Sequence, residues 1–151
     1  MLTHKDILQA EQIRNSQVKR IYESSELWYS NKQNQEALDE WRKACNDYHN
    51  TTLAIDYLWS DETRMKIKSG DRETIDDVLL FLEVDPWFFR SGYLKEWLID
   101  NLMHAPLTEE DKVRIRQIII AVAGGRNRRE FRRFCKLATR VTSSEFEATI
   151  A

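Results

Sequence analysis

Four glycines and two prolines in 151 residues are too few to build the tight turns that a sheet protein of this size needs. Helices joined by capped corners are the alternative, and the clearest stretch of the chain spells one out. In PLTEEDKVRIRQIIIAVAGG, Pro106 punctuates, Thr108 offers an N-cap, and Glu109, Glu110 and Asp111 suit the positive end of the helix dipole. Ile115, Ile118, Ile119 and Val122 recur at helical spacing, and Gly124–Gly125 stop the run. The β-branched Ile118–Ile120 favours strand locally, but the caps and the stripe outweigh it.

The same grammar recurs along the chain. Thr3, with Asp6 three residues on, opens a first helix carrying Ile7, Ala10, Ile13, Val18 and Ile21, which SELWYSNKQNQ is expected to interrupt. Leu38, Trp41, Cys45, Tyr48, Thr52, Ile55 and Trp59 alternate by three and four. That spacing predicts a helix–helix seam, either inside one bundle or between subunits through the Leu38–Trp59 helix. A short helix follows to Gly70, and Asp71 caps another with Ile75, Val78, Leu79 and Leu82. Ser91 is the expected cap of a helix bearing Tyr93, Leu94, Trp97, Leu98 and Leu102. A last helix from Arg128 to Val141 is expected to turn Phe131, Phe134, Ala138 and Val141 inward, with TSSEFEATIA adding a frayed terminal turn. Residues 74–103 and 108–141 each read as a helical hairpin. The predicted architecture is therefore one all-α domain spanning 1–151, a bundle of six or seven helices ending in two stacked, HEAT-like hairpins.

Between two of these helices lies VDPWFFRSGY. No helix or strand buries Trp87, Phe88 and Phe89 on one face, so they either close a corner of the core or, with Arg90, anchor a partner. FLEVDPWFFRSGYLKEWLIDNL, PLTEEDKVRIRQIII and RREFRRFCKLA, in that order, resemble the C-terminal half of a group of small, uncharacterised, all-helical bacterial proteins. EWRKACNDYHNTTLAIDYLW resembles the region before it. The resemblance covers roughly 41–138, is most specific at FFRSGY and RREFR, and implies a bacterial origin and a helical fold but no activity.

Motifs that carry chemistry are sparse. His4, His49 and His104 stand outside any metal-ligand spacing, AGGRN is no phosphate loop, and there is no nucleophile elbow, so no cofactor or metal is expected. Glu36, Asp39 and Glu40 share a helical face, as do Asp76 and Glu83. Such carboxylates serve an enzyme only inside a cleft that perturbs them. Cys45 and Cys135 read as buried free thiols of a reducing compartment. With no apolar leader or membrane-length run, a cytoplasmic location is the expectation.

Charge is the strongest functional signal. From Lys112 to Thr142 ten Lys or Arg face one acid, Glu130, a balance of +9; the rest carries 13 basic and 24 acidic residues, −11, for −2 overall. In GGRNRREFRRFCKLATR, Arg129, Arg132, Arg133, Lys136 and Arg140 fall on one helical stripe, extended by Arg126 and Arg128. Guanidinium groups suit carboxylates and phosphates. The stripe reads as a solvated face, as the contact for an acidic protein, or as a nucleic-acid contact. The reading adopted is a non-enzymatic interaction module with an acidic macromolecular partner. Its alternatives are a nucleic-acid-associated regulator and an enzyme of unrecognised type.

Overall fold

The computed structural model describes residues 1–150. Ala151, the end of the expected terminal turn, lies outside them. Helices α1 (His4–Ser30), α2 (Gln35–Asn50), α3 (Asp61–Ser69), α4 (Arg72–Val84), α5 (Ser91–Leu102), α6 (Glu109–Ala123), α7 (Phe131–Ala138) and α8 (Ser144–Ile150), with a 3-10 turn at Asp56–Trp59, make up an all-helical bundle; there is no strand among the described residues.

Several expected caps form. Thr3 and Asp6, and again Thr108 and Asp111, make reciprocal capping boxes, and Asp71 accepts from the Thr74 amide. Gly70 ends α3 at φ 81°, and a Cβ there would meet Pro106 Cγ at 2.6 Å, so both backbone conformation and space demand glycine.

α1 and α2 form a long hairpin whose contact is drawn close by the buried Ala37 and Ala44. The N-terminal part of α1 buries Ile7 and Ala10 and also packs on α4. α4 packs on α6, α5 on α7 and α6 on α7, while α3 lies against α4 and α5. The core is one cluster in which Ile75, Val78, Leu79, Phe81, Leu94, Leu98, Ile99 and Leu102 are fully enclosed.

Local expectations fail at five places, each for a physical reason. α1 runs on through Ser25 to Ser30, because it packs along α2, and Ser24 and Ser25 turn their hydroxyls back to carbonyls of their own helix. α2 stops at Asn50 instead of continuing to Trp59. The chain is extended at Thr51, and α1 satisfies the freed carbonyls: Arg14 donates to Tyr48 O at 3.0 Å and to Thr51 O at 3.4 Å. Ser91 is not the cap of α5; Arg90 holds that position in a left-handed conformation, and Ser91 Oγ accepts from the Phe88 amide. The last helix is only Phe131–Ala138, so Phe131, in its opening turn, stays 43% exposed while Phe134 and Leu137 carry the inward face. Finally, Cys45 is half-buried and Cys135 exposed, not buried thiols. The terminal segment forms α8, anchored by the buried Phe146.

Candidate anion and partner-binding surface

The connection between α4 and α5 is held by its backbone, and this decides where its aromatics go. Asp85 and Arg90 bracket it at φ 54° and 70°, conformations that non-glycine residues adopt only when their surroundings enforce them. From α1, Glu11 accepts the Trp87 amide at 2.5 Å and Asn15 Nδ2 donates to the Trp87 carbonyl at 3.0 Å. With the main chain fixed this way, Phe88 turns inward, edge-on to Phe81 at a centroid distance of 6.5 Å. Trp87 and Phe89 turn outward, 56% and 57% exposed. The aromatic triplet is thus divided: Phe88 belongs to the core, its neighbours to the surface.

Asp85 is enforced by charge. Arg128 grips it with a two-pronged bond, Nη1 to Oδ1 at 2.8 Å and Nη2 to Oδ2 at 2.9 Å, while Lys95 Nζ lies 2.6 Å from Oδ1. Glu130 completes a quartet, 3.2 Å from Arg128 Nη1 and 4.0 Å from Lys95. The Lys95, Arg128 and Glu130 side chains are 1%, 5% and 4% exposed, so only Asp85, at 26%, meets solvent appreciably. Burial alone would raise the Asp85 carboxyl, but the bonds from Arg128 and Lys95 outweigh it and hold it below the usual carboxylate range. Burial lowers the Lys95 ammonium despite Asp85 and Glu130. On Arg128 burial also pulls downward, yet Asp85 and Glu130 leave it raised.

Around this quartet the two stretches that the sequence treated as separate candidates meet. Arg126 lies over the Trp87 ring, 3.7 Å from its centroid; Arg129 lies over Tyr93 at 4.0 Å, with Arg90 at 5.8 Å from the same ring. Gly92 lies against this segment: a Cβ on it would stand in ordinary contact, 3.4 Å from Glu130 Oε2 and 3.8 Å from Arg129 Cβ. Between Trp87 and these arginines opens a cavity of about 230 Å³, lined also by Gly92, Lys95 and Glu130.

The remaining stripe residues divide by partner. Arg129 Nε pairs with Glu96 at 3.2 Å, and Arg133 Nε stands 3.2 Å from Asp100, though without hydrogen-bond geometry. Arg140 is a cap for α5, donating to the carbonyls of Leu102, Met103 and Ala105 at 2.9, 2.7 and 3.0 Å. Arg132 and Lys136 are exposed and, like Arg126, form no ion pair among the described residues. The stripe is therefore a mixture of structural and free cations.

No protein family, curated protein or solved structure matches the chain.

The acidic residues weighed as catalytic candidates include several engaged elsewhere. Glu40 takes Arg20 at 2.5 Å, and Arg114 bridges Glu83 at 2.6 Å and Asp76 at 3.0 Å. His4, His49 and His104 are all exposed, and no group of three or more metal-ligating side chains forms among the described residues. No described helix is long and apolar enough to cross a membrane.

Sequence reasoning missed Asp85, Lys95, Gly92 and Tyr93 as parts of this surface. Lys95 carried a signal. It shares the helical face of Ser91, Leu98 and Leu102, so a charge falls where the apolar pattern demands a core residue. A buried partner follows from that.

Proposed function

We propose that the protein is a non-enzymatic interaction module of the cytoplasm that recognises an acidic polypeptide surface through Trp87, Phe89, Arg90, Tyr93, Arg126 and Arg129. The observation carrying this reading is the stacking of Arg126 on a half-exposed Trp87 and of Arg129 on Tyr93. Tryptophan, tyrosine and arginine dominate the energetics of protein interfaces, and here the bonds to Glu11 and Asn15 fix the tryptophan's backbone before any partner arrives. Exposed rings interleaved with arginines also suit stacked bases, so single-stranded nucleic acid is a second reading. Glu96 and Asp100, beside Arg129 and Arg133, weigh against a continuous phosphate track.

Fluorescence anisotropy with a labelled oligoglutamate peptide and a labelled oligothymidylate separates the two. The peptide is expected to bind, more weakly at physiological than at low ionic strength because exposed charges are screened over about 8–10 Å. Arg126→Glu is expected to reduce that binding by an order of magnitude or more, since repulsion replaces attraction, while the circular dichroism spectrum is unchanged. Binding of the oligothymidylate alone establishes the second reading. Binding of neither makes the surface a solvated face and removes the proposal.

A further inference from the structure

The cavity between Trp87 and the Arg126–Glu130 segment has the chemistry of a seat rather than of a flat contact. Lys95, Arg126, Arg128 and Arg129 surround about 230 Å³ of space, with Glu130 as the acid among its lining residues. Asp85 and Glu130 together offset Lys95 and Arg128, and Glu96 takes part of Arg129. The surplus positive charge thus sits at Arg126, which stacks on the Trp87 ring and forms no ion pair among the described residues.

Two further observations point to an anion. The first turn of α5 borders the cavity at Ser91 and Gly92; the Ser91 amide is taken by the Phe88 carbonyl at 2.9 Å, but the N-cap, Arg90, supplies no side-chain bond, so the Gly92 and Tyr93 amides stay free at the positive dipole end. Independently, Arg128, 5% exposed and lining the cavity, has an Nε with no acceptor among the described residues. Buried guanidinium nitrogens are rarely left unpaired, and an incoming oxygen would supply what the fold does not.

We infer that this cavity seats a single oxyanion group, a carboxylate or phosphate, carried on the acidic polypeptide partner. The inference rests on the interaction reading above and names the group that reading would recognise. A carboxylate or phosphate presents two oxygens at once, and the lining offers it the Gly92 amide, the unpaired Arg128 Nε and the Arg126 guanidinium as donors.

Nitrogen-15 correlation spectra of the full chain test it, with inorganic phosphate, sodium acetate and the oligoglutamate peptide as probes. Saturable shifts are expected at the Gly92 and Tyr93 amides and at the Arg126 and Arg128 Nε–H signals, and Arg126→Glu is expected to weaken them about tenfold or more. Stronger response to phosphate than to acetate assigns the seat to a phosphorylated segment; the reverse assigns it to an acidic side chain or chain terminus. Shifts that grow linearly and spread over all surface arginines overturn the inference. If the peptide binds saturably yet leaves the Gly92 and Arg128 signals still, the interaction reading stands and the seat does not. If acetate or phosphate saturates the cavity while the peptide fails to bind, the seat stands without that reading. Cavity shifts with oligothymidylate but not with peptide overturn the polypeptide carrier.

Discussion

Removing the Arg128 side chain isolates the energetics of the buried quartet. In Arg128→Leu the apolar stem is largely retained and the guanidinium lost. Asp85 keeps Lys95 at 2.6 Å, but Glu130, whose side chain is 4% exposed, keeps only a contact at 4.0 Å. A buried carboxylate is then stranded. Breaking a buried ion pair from one side costs about 3–5 kcal/mol, and since Lys95 remains beside both carboxylates the lower end applies, about 3 kcal/mol. With a urea slope of about 2 kcal/mol/M, the unfolding midpoint is expected to fall by about 1.5 M.

The double variant Arg128→Leu/Glu130→Leu removes the stranded group while leaving the Asp85–Lys95 pair intact, and Glu130 makes no side-chain cap to α7 that would be lost with it. It is expected to recover at least about 1 kcal/mol over the single variant, the size of coupling seen between directly contacting residues. pH supplies the second check. The Asp85 carboxyl is held below its ordinary value, so its contribution is present above the unfolded carboxylate range and is lost as pH falls through the folded value. The gap between the native chain and Arg128→Leu should therefore be full at neutral pH and narrow on acidification below about 4. A single variant within about 0.5 kcal/mol of the native chain, or a double variant no better than the single, refutes the account.

Phe88 and Phe89 should respond oppositely to truncation. Phe88→Ala is expected to cost about 3–5 kcal/mol in chemical denaturation, as a buried aromatic does, while Phe89→Ala, at a 57% exposed side chain, stays within about 0.5 kcal/mol. Arg140→Met should cost about 2 kcal/mol by the same measurement, because three carbonyls at the end of α5 lose a charged donor; an unchanged midpoint would return Arg140 to the free cations.

What the sequence disclosed follows from the range of each signal. Caps act within one turn, so Thr3, Asp71, Thr108 and Gly70 were legible from adjacent residues. Periodicity reports which residues face a core, not which element brings them there. Ile55 keeps the helical spacing of α2, yet it reaches the core from the loop beyond Asn50, and a stripe of apolar residues has no way to mark that break. The Thr51–Thr52 pair, β-branched and placed after an asparagine, was the available stop signal. The aromatic triplet was ambiguous for another reason. Bonds from Glu11 and Asn15, more than seventy residues away, decide which of the three rings is buried.

The charge asymmetry of the chain takes on a different meaning once folded. The basic segment that stood out in sequence packs against acidic helices: Arg114 on Asp76 and Glu83, Arg128 on Asp85, Arg129 on Glu96, Arg133 on Asp100. Much of a +9 to −11 division along the chain is thereby spent between neighbouring helices, where it sets which helix lies beside which. Reversing Arg129, Arg132 and Arg133 together would consequently place new carboxylates against Glu96 and Asp100 and disturb the fold as well as any contact. Arg126 is the informative position. It is exposed, has no ion pair among the described residues, and stacks on a tryptophan whose backbone is already fixed. A functional reading of the basic segment therefore depends on this one arginine and its ring more than on the length of the stripe.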